Sequence, residues 1–200
     1  MAVHSWHEPA PVAGDDVWSQ LMEYAASGQY LLHGSRSRSL AVLEPRAPID
    51  FSIDDFSKAT AVFATEDPTW AIAYAIRSPQ CPGFLNACFS FGTQTLSIQD
   101  RRIFLSYAHD ADSKPTFADG TVYVVPRDSF IRMPAYEDPQ LGWITECQWV
   151  SESPVPVVRS VEVSLANLPL VPRSHDAERV RSLSQKNPLG FPWLEHEPEL

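Results

Sequence analysis

The alternation of apolar and polar positions divides the chain into helices early and strands late. Val17, Trp18, Leu21, Met22 and Ala25 recur at helical spacing and predict a helix from about residue 16. Asp15 or Asp16 is expected to cap it, and Gly28 supplies the stop. Gln29, Tyr30, Leu31 and Leu32 then read as a short strand running directly into His33-Gly34-Ser35. The stretch 36–60 shows no period and is expected to be a long loop with one helical turn. Residues 61–64 predict a second strand. Thr65-Glu66-Asp67-Pro68 then opens a second helix, with a capping side chain, acids at the positive end of the dipole and proline in the first turn. That helix carries Trp70, Ala71, Tyr74 and Ala75 toward Pro79.

After Pro82 the pattern changes. Segments 84–91, 95–98, 103–107, 121–125, 142–150 and 157–163 favour strands, separated by Gly, Asp and Pro. Helices precede strands instead of alternating with them, so an α+β fold on antiparallel strands is expected rather than a parallel doubly wound sheet. From about Pro172 the apolar period fades. The expected organisation is a flexible arm over 1–14, one domain over 15–172, and a tail over 173–200 that is partly helical or disordered.

Composition narrows the class. A chain of 200 residues with 44% hydrophobic and 11% aromatic content suits one globular domain. Cys81, Cys88 and Cys147 include no Cys-x-x-Cys pair, so neither a disulfide framework nor a structural zinc site is expected, and no metal is. No apolar run approaches the ~18 residues of a membrane helix, and the first residues lack the basic start and apolar core of a signal peptide. A soluble, cytoplasmic protein without a membrane partner is expected. The net charge of −10 argues against broad, charge-driven binding to nucleic acid. Arginine nevertheless outnumbers lysine heavily, and its planar fork suits phosphate and carboxylate recognition, so a local site for a phosphorylated ligand stays open.

Three places carry candidate chemistry. His33 at a strand end can offer a ring nitrogen to a ligand, with Gly34 letting a ligand approach the backbone; the alternative for His33-Gly34-Ser35 is a plain turn. Trp70 and Tyr74 can wall a cleft on which a planar ring stacks, or belong to the core. Glu146 and Gln148, two apart in one expected strand, share a face opposite Cys147 and Trp149. They can bind ribose hydroxyls, the carboxylate also stabilising positive charge on a sugar carbon, or form a solvated polar face. Arg36 and Arg38 can hold phosphates or remain solvated. No histidine falls in a metal-ligand spacing, and no Walker, Rossmann or nucleophile-elbow motif is present.

In this order the pieces resemble the ADP-ribosyltransferase superfamily. Residues 30–35, Tyr-Leu-Leu-His-Gly-Ser, look like its first motif, and residues 61–75 like its second. Residues 144–151, with Val155-Pro156-Val157 and Val161-Glu162-Val163, look like its third region. That last part is similar to the branch of DNA-modifying ADP-ribosyltransferase toxins and NAD-dependent RNA 2′-phosphotransferases. The resemblance spans roughly 29–165. It implies a split antiparallel β-core with flanking helices that clamps NAD as substrate, and transfer of ADP-ribose to an unknown protein or nucleic-acid acceptor. His33 would then contact the adenine-side ribose and Gly34 would pair through its backbone with the nicotinamide amide. Ser35 would support the strand, with Arg36 and Thr65 beside the cofactor. Tyr74 or Trp70 would stack on the nicotinamide ring. Glu146 would hold the nicotinamide ribose and favour the oxocarbenium-like transition state. Gln148, however, aligns best with the position where many members carry their catalytic Glu. Two alternatives accordingly stand beside the transferase: a 2′-phosphotransferase using Arg36, Arg38 or Arg77, and an inactive domain that binds NAD, ADP-ribose or a protein.

Overall fold

In the computed structural model, residues 17–48, 54–93, 100–109, 116–139, 141–187 and 190–193 are described. The arm, the Asp15/Asp16 cap, the strand expected over 95–98 and the end of the tail lie outside these residues. The elements are α1 (Val17–Ala26), β1 (Tyr30–Ser35), β2 (Val42–Leu43), β3 (Val62–Thr65), α2 (Pro68–Ala75), β4 (Phe84–Phe91), β5 (Arg102–His109) and β6 (Gly120–Pro126). They continue with β7 (Ile131–Arg132), β8 (Tyr136–Asp138), β9 (Gly142–Glu146), β10 (Gln148–Ser151), β11 (Val155–Pro156), β12 (Arg159–Val163), β13 (Arg173–Asp176) and α3 (Ala177–Lys186).

Six strands form one sheet in the order β12-β6-β1-β3-β10-β7, and five form a second, β13-β5-β4-β9-β8; β11 and β2 pair separately. The pairing is antiparallel except between β13 and β5. The fold is therefore α+β with mostly antiparallel sheets, as the order of helices and strands predicts. No helix among the described residues is long and apolar enough to cross a membrane.

Helix α2 organises the centre. Its sequence, Pro-Thr-Trp-Ala-Ile-Ala-Tyr-Ala, has no polar face, and a helix apolar all round must be buried all round. Of its eight residues only Tyr74 is exposed. It shares one core with Leu32, Val122 and Val124 of the six-stranded sheet and with Ile103, Leu105 and Tyr107 of the other. The Tyr107 hydroxyl donates to the Ala73 carbonyl at 2.8 Å. Two glycines let the helix approach the six-stranded sheet. A Cβ at Gly34 would overlap the Ala71 carbonyl oxygen and meet the Ala75 nitrogen at 2.8 Å, and one at Gly120 would overlap the Ala75 carbonyl. The other face of this sheet builds a second core from Leu31, Tyr123, Val125 and Trp149 with Leu43 and Val155.

Four expectations change. His33-Gly34-Ser35 is no turn: β1 continues through Ser35, its last three residues opposite Tyr123, Val122 and Thr121. The second helix stops at Ala75, short of Pro79. Residues 173–176, the start of the tail expected to be partly helical or disordered, form β13, and α3 follows with Asp176 as its cap. The single strand expected over 142–150 is two strands in two different sheets.

Candidate functional site

The three motifs come together on neighbouring strands of one sheet. Leu32 of β1 lies opposite Thr65 of β3, and Thr65 lies opposite Gln148 of β10. At 4.7–4.9 Å between strands, the first and third are about 10 Å apart. The β1–β3 ladder consists of that one pair. Just beyond it the His33 side chain reaches across, with Nδ1 2.7 Å from the Phe63 carbonyl oxygen. A carbonyl only accepts, so Nδ1 carries the proton and Nε2 is left as an acceptor. Burial lowers the His33 pKa, outweighing the Phe63 carbonyl that raises it, and the Arg46 charge lowers it further. The ring is therefore neutral near pH 7, a form able to accept a hydrogen bond from a ligand hydroxyl.

Opposed residues in an antiparallel ladder share a face. Leu32, Thr65 and Gln148 accordingly point to one side of the sheet, and His33 points with Tyr123 to the other. The His33 ring and the Gln148 amide lie on strands separated by β3 and on opposite faces of the sheet.

Glu146 and Gln148 do not share a strand face either. Glu146 ends β9 opposite Phe89, whereas Gln148 begins β10 opposite Thr65. The chain crosses between sheets at Cys147, whose N–H donates to the Cys88 carbonyl at 2.9 Å. The reason is packing: Cys147 belongs to the central core and Trp149 to the second one, so side chains two apart fill different interiors. Glu146 Oε1 accepts from the Tyr136 hydroxyl at 2.6 Å. Burial, with the Glu146 charge and hydrogen bond, pushes the Tyr136 phenol up, which keeps it a donor. Gln148 Nε2 donates to Ser57 Oγ at 3.2 Å.

The remaining predicted residues separate. Gly34 is occupied on its side-chain side by α2, so what approaches this backbone closely is a helix. Trp70 is core, with Nε1 donating to Asn86 Oδ1 at 2.7 Å. Tyr74 is 40% exposed, sits edge-on to Phe84 and reaches the same Asn86 oxygen at 3.1 Å; of the two aromatics it is the one a ligand can meet. Thr65 is buried, its Oγ1 accepting from the Asp67 N–H at 3.0 Å. Ser35 Oγ accepts from the Ser37 N–H, and Arg36 and Arg38 are exposed.

Sequence reasoning misses a buried ionic cluster beside Thr65. Arg101 contacts Asp67 at 3.2 Å and Glu66 at 3.5 Å, and Arg132 contacts Glu66 at 2.9 Å. The Arg127 and Arg132 guanidinium groups lie 4.3 and 5.6 Å from the Trp149 ring centre. The acids at 66 and 67 read as helix-dipole partners; the arginines that neutralise them come from distant segments, and only the arginine-rich composition hints at them. A surface hollow of about 260 Å³ lined by Tyr107, Phe117, Leu165, Val171 and Arg173 contains none of the predicted site residues. No group of three or more His, Cys, Asp or Glu among the described residues is placed to hold a metal.

Comparison with protein-family models, with curated proteins and with solved structures finds no match. Function has to be read from the residues themselves.

Proposed function

We propose that the chain is an ADP-ribosyltransferase-like domain that binds NAD, cleaves its nicotinamide glycosidic bond and transfers ADP-ribose to a macromolecular acceptor. One observation carries this reading: the three sequence-distant motifs lie on the adjacent strands β1, β3 and β10. The neutral His33, with Nε2 as acceptor, suits a ribose hydroxyl, and exposed Tyr74 suits a ring. In the reaction the bond from the ribose C1′ to the pyridinium nitrogen breaks and its electron pair leaves with neutral nicotinamide. Glu146, oriented by the Tyr136 hydroxyl, stabilises the positive charge left on the sugar until an acceptor nucleophile attacks C1′.

A second reading has its own support. Gln148, not Glu146, lies on the sheet of His33, and an amide brings no charge. Losing such stabilisation typically costs a few kcal/mol of barrier, which favours an inactive NAD or ADP-ribose binder. Nicotinamide release from NAD by the purified protein, beside Glu146→Ala, Gln148→Ala and His33→Ala, separates the two. The transferase reading expects release by the parent, abolished in Glu146→Ala and His33→Ala. NAD-dependent thermal stabilisation without release selects the binder. Neither release nor stabilisation sinks both.

A further inference from the structure

We propose that Cys88 and Cys147 are a thiol–disulfide site, oxidised by a small peroxide, that pins the crossover between the two sheets. The β4–β9 ladder pairs Phe89 with Glu146, so its next position sets Cys88 directly against Cys147. The Cys147 N–H donates to the Cys88 carbonyl at 2.9 Å, which marks a hydrogen-bonded pair. Such pairs have Cα atoms about 5.5 Å apart, inside the 4.4–6.8 Å that disulfides span. Cys81 sits elsewhere, its thiol directed at the Gly83 carbonyl at 3.1 Å. The spacing of the three cysteines along the chain gives no sign of this pairing. It follows from the strand register alone.

The chemistry balances with peroxide as oxidant. One thiol sulfur attacks a peroxide oxygen, the O–O bond breaks, and the thiol proton converts the departing hydroxide to water, leaving a sulfenic acid. The second sulfur then attacks the sulfenic sulfur; the S–S bond forms, the S–O bond breaks, and hydroxide leaves as water with the second proton. Two thiols and one peroxide become one disulfide and two waters. Both thiols are buried, and burial pushes the Cys88 thiol up, with Cys147 and Asp67 adding to the shift. Oxidation therefore requires local opening where the β4–β9 ladder ends, and it is slow compared with that of an exposed thiolate. The bond would fix the residue between Glu146 and Gln148. The proposal stands whether or not the chain acts on NAD.

The test treats the reduced full chain with hydrogen peroxide, blocks residual thiols with iodoacetamide and maps peptides by mass. The expected product has lost the mass of two hydrogen atoms and carries one cross-link joining the Cys88 and Cys147 peptides, with Cys81 alkylated. Dithiothreitol should restore the parent mass. The oxidised form should melt several degrees higher, because the bond closes a long loop. Cys81→Ala should behave as the parent and Cys147→Ala should form no link. A link through Cys81, oxygen added at Cys88 or Cys147 without cross-linking, or both thiols unchanged after Cys81 has oxidised would overturn the proposal. The peptide map of the unaltered protein decides it even if a cysteine variant fails to fold.

Discussion

Helices α2 and α3 begin in the same way and end in different surroundings. Each opens with an aspartate whose side chain accepts from an N–H in the first turn, Asp67 from Trp70 at 3.0 Å and Asp176 from Arg179 at 2.8 Å. Helix α2 is then apolar on every side and lies between the two sheets. Helix α3 is mostly polar, and its one buried residue, Val180, clusters with Leu85 and Phe104. A cap thus decides where a helix starts, and the distribution of apolar residues decides how deep it lies. Depth changes what the cap costs. Asp176 is exposed, whereas Asp67 is wholly buried and, with Glu66, needs Arg101 and Arg132 as counter-charges.

The largest way to break this contrast is to remove a counter-charge. Arg101→Ala leaves Asp67 buried without its counter-charge and Glu66 with Arg132 alone. Breaking a buried pair from one side typically costs about 3–5 kcal/mol, and urea unfolding should show a loss on that scale. Arg179→Ala, exposed at the head of α3, should stay within about 0.5 kcal/mol. Similar losses at the two sites would mean that Arg101 is not the ion that makes burial of the α2 cap tolerable.

Packing gives the next step down. Gly34→Ala places a methyl group against the Ala71 carbonyl, and overpacking of this kind costs typically about 1–3 kcal/mol, more where backbone must move. Val180→Ala removes two methyl groups from the small cluster beneath α3, for about 1–2 kcal/mol at ~0.8 kcal/mol per buried carbon. Thermal unfolding of the two variants ranks them. If Gly34→Ala proved neutral, α2 would have room to move off β1, and the glycine would have to be explained by something other than the helix above it.

Local chemistry made much of this legible from the chain. The stop at Gly28, the Asp67-Pro68 opening of α2 and the run of β4 depend on residues adjacent in sequence, and they lie where the pattern puts them. Long-range pairing was not legible. The strand-favouring run from Gly142 to Ser151 has no glycine, proline or other turn signal near Cys147, so nothing local marks the passage from one sheet to the other. Two cores waiting on opposite sides of that residue cause the crossing. Gly34 misled in the same way: a glycine beside a histidine reads as room for a ligand, and the room is taken by a helix encoded almost forty residues later. The ionic cluster joins Glu66 to Arg101 and Arg132, partners that no local rule connects.

The smallest expected effect concerns His33, on the face of β1 turned away from α2. Burial lowers its pKa from 6.5, so the unfolded chain takes up this proton at a higher pH than the folded one does. Above about pH 7 both states are neutral and the group contributes no pH dependence. As pH falls through 6.5 the unfolded state alone gains a proton, and stability declines until the folded ring protonates too. One such group accounts for at most about 1.4 kcal/mol per pH unit. Denaturant unfolding of the parent and of His33→Gln at pH 7.5 and 5.5 isolates this contribution from the other histidines. The parent should lose more stability over that interval, within that limit. Equal losses would show that folding leaves the proton affinity of His33 unchanged, so that burial does not hold the ring in the neutral form whose Nε2 accepts from a ribose hydroxyl.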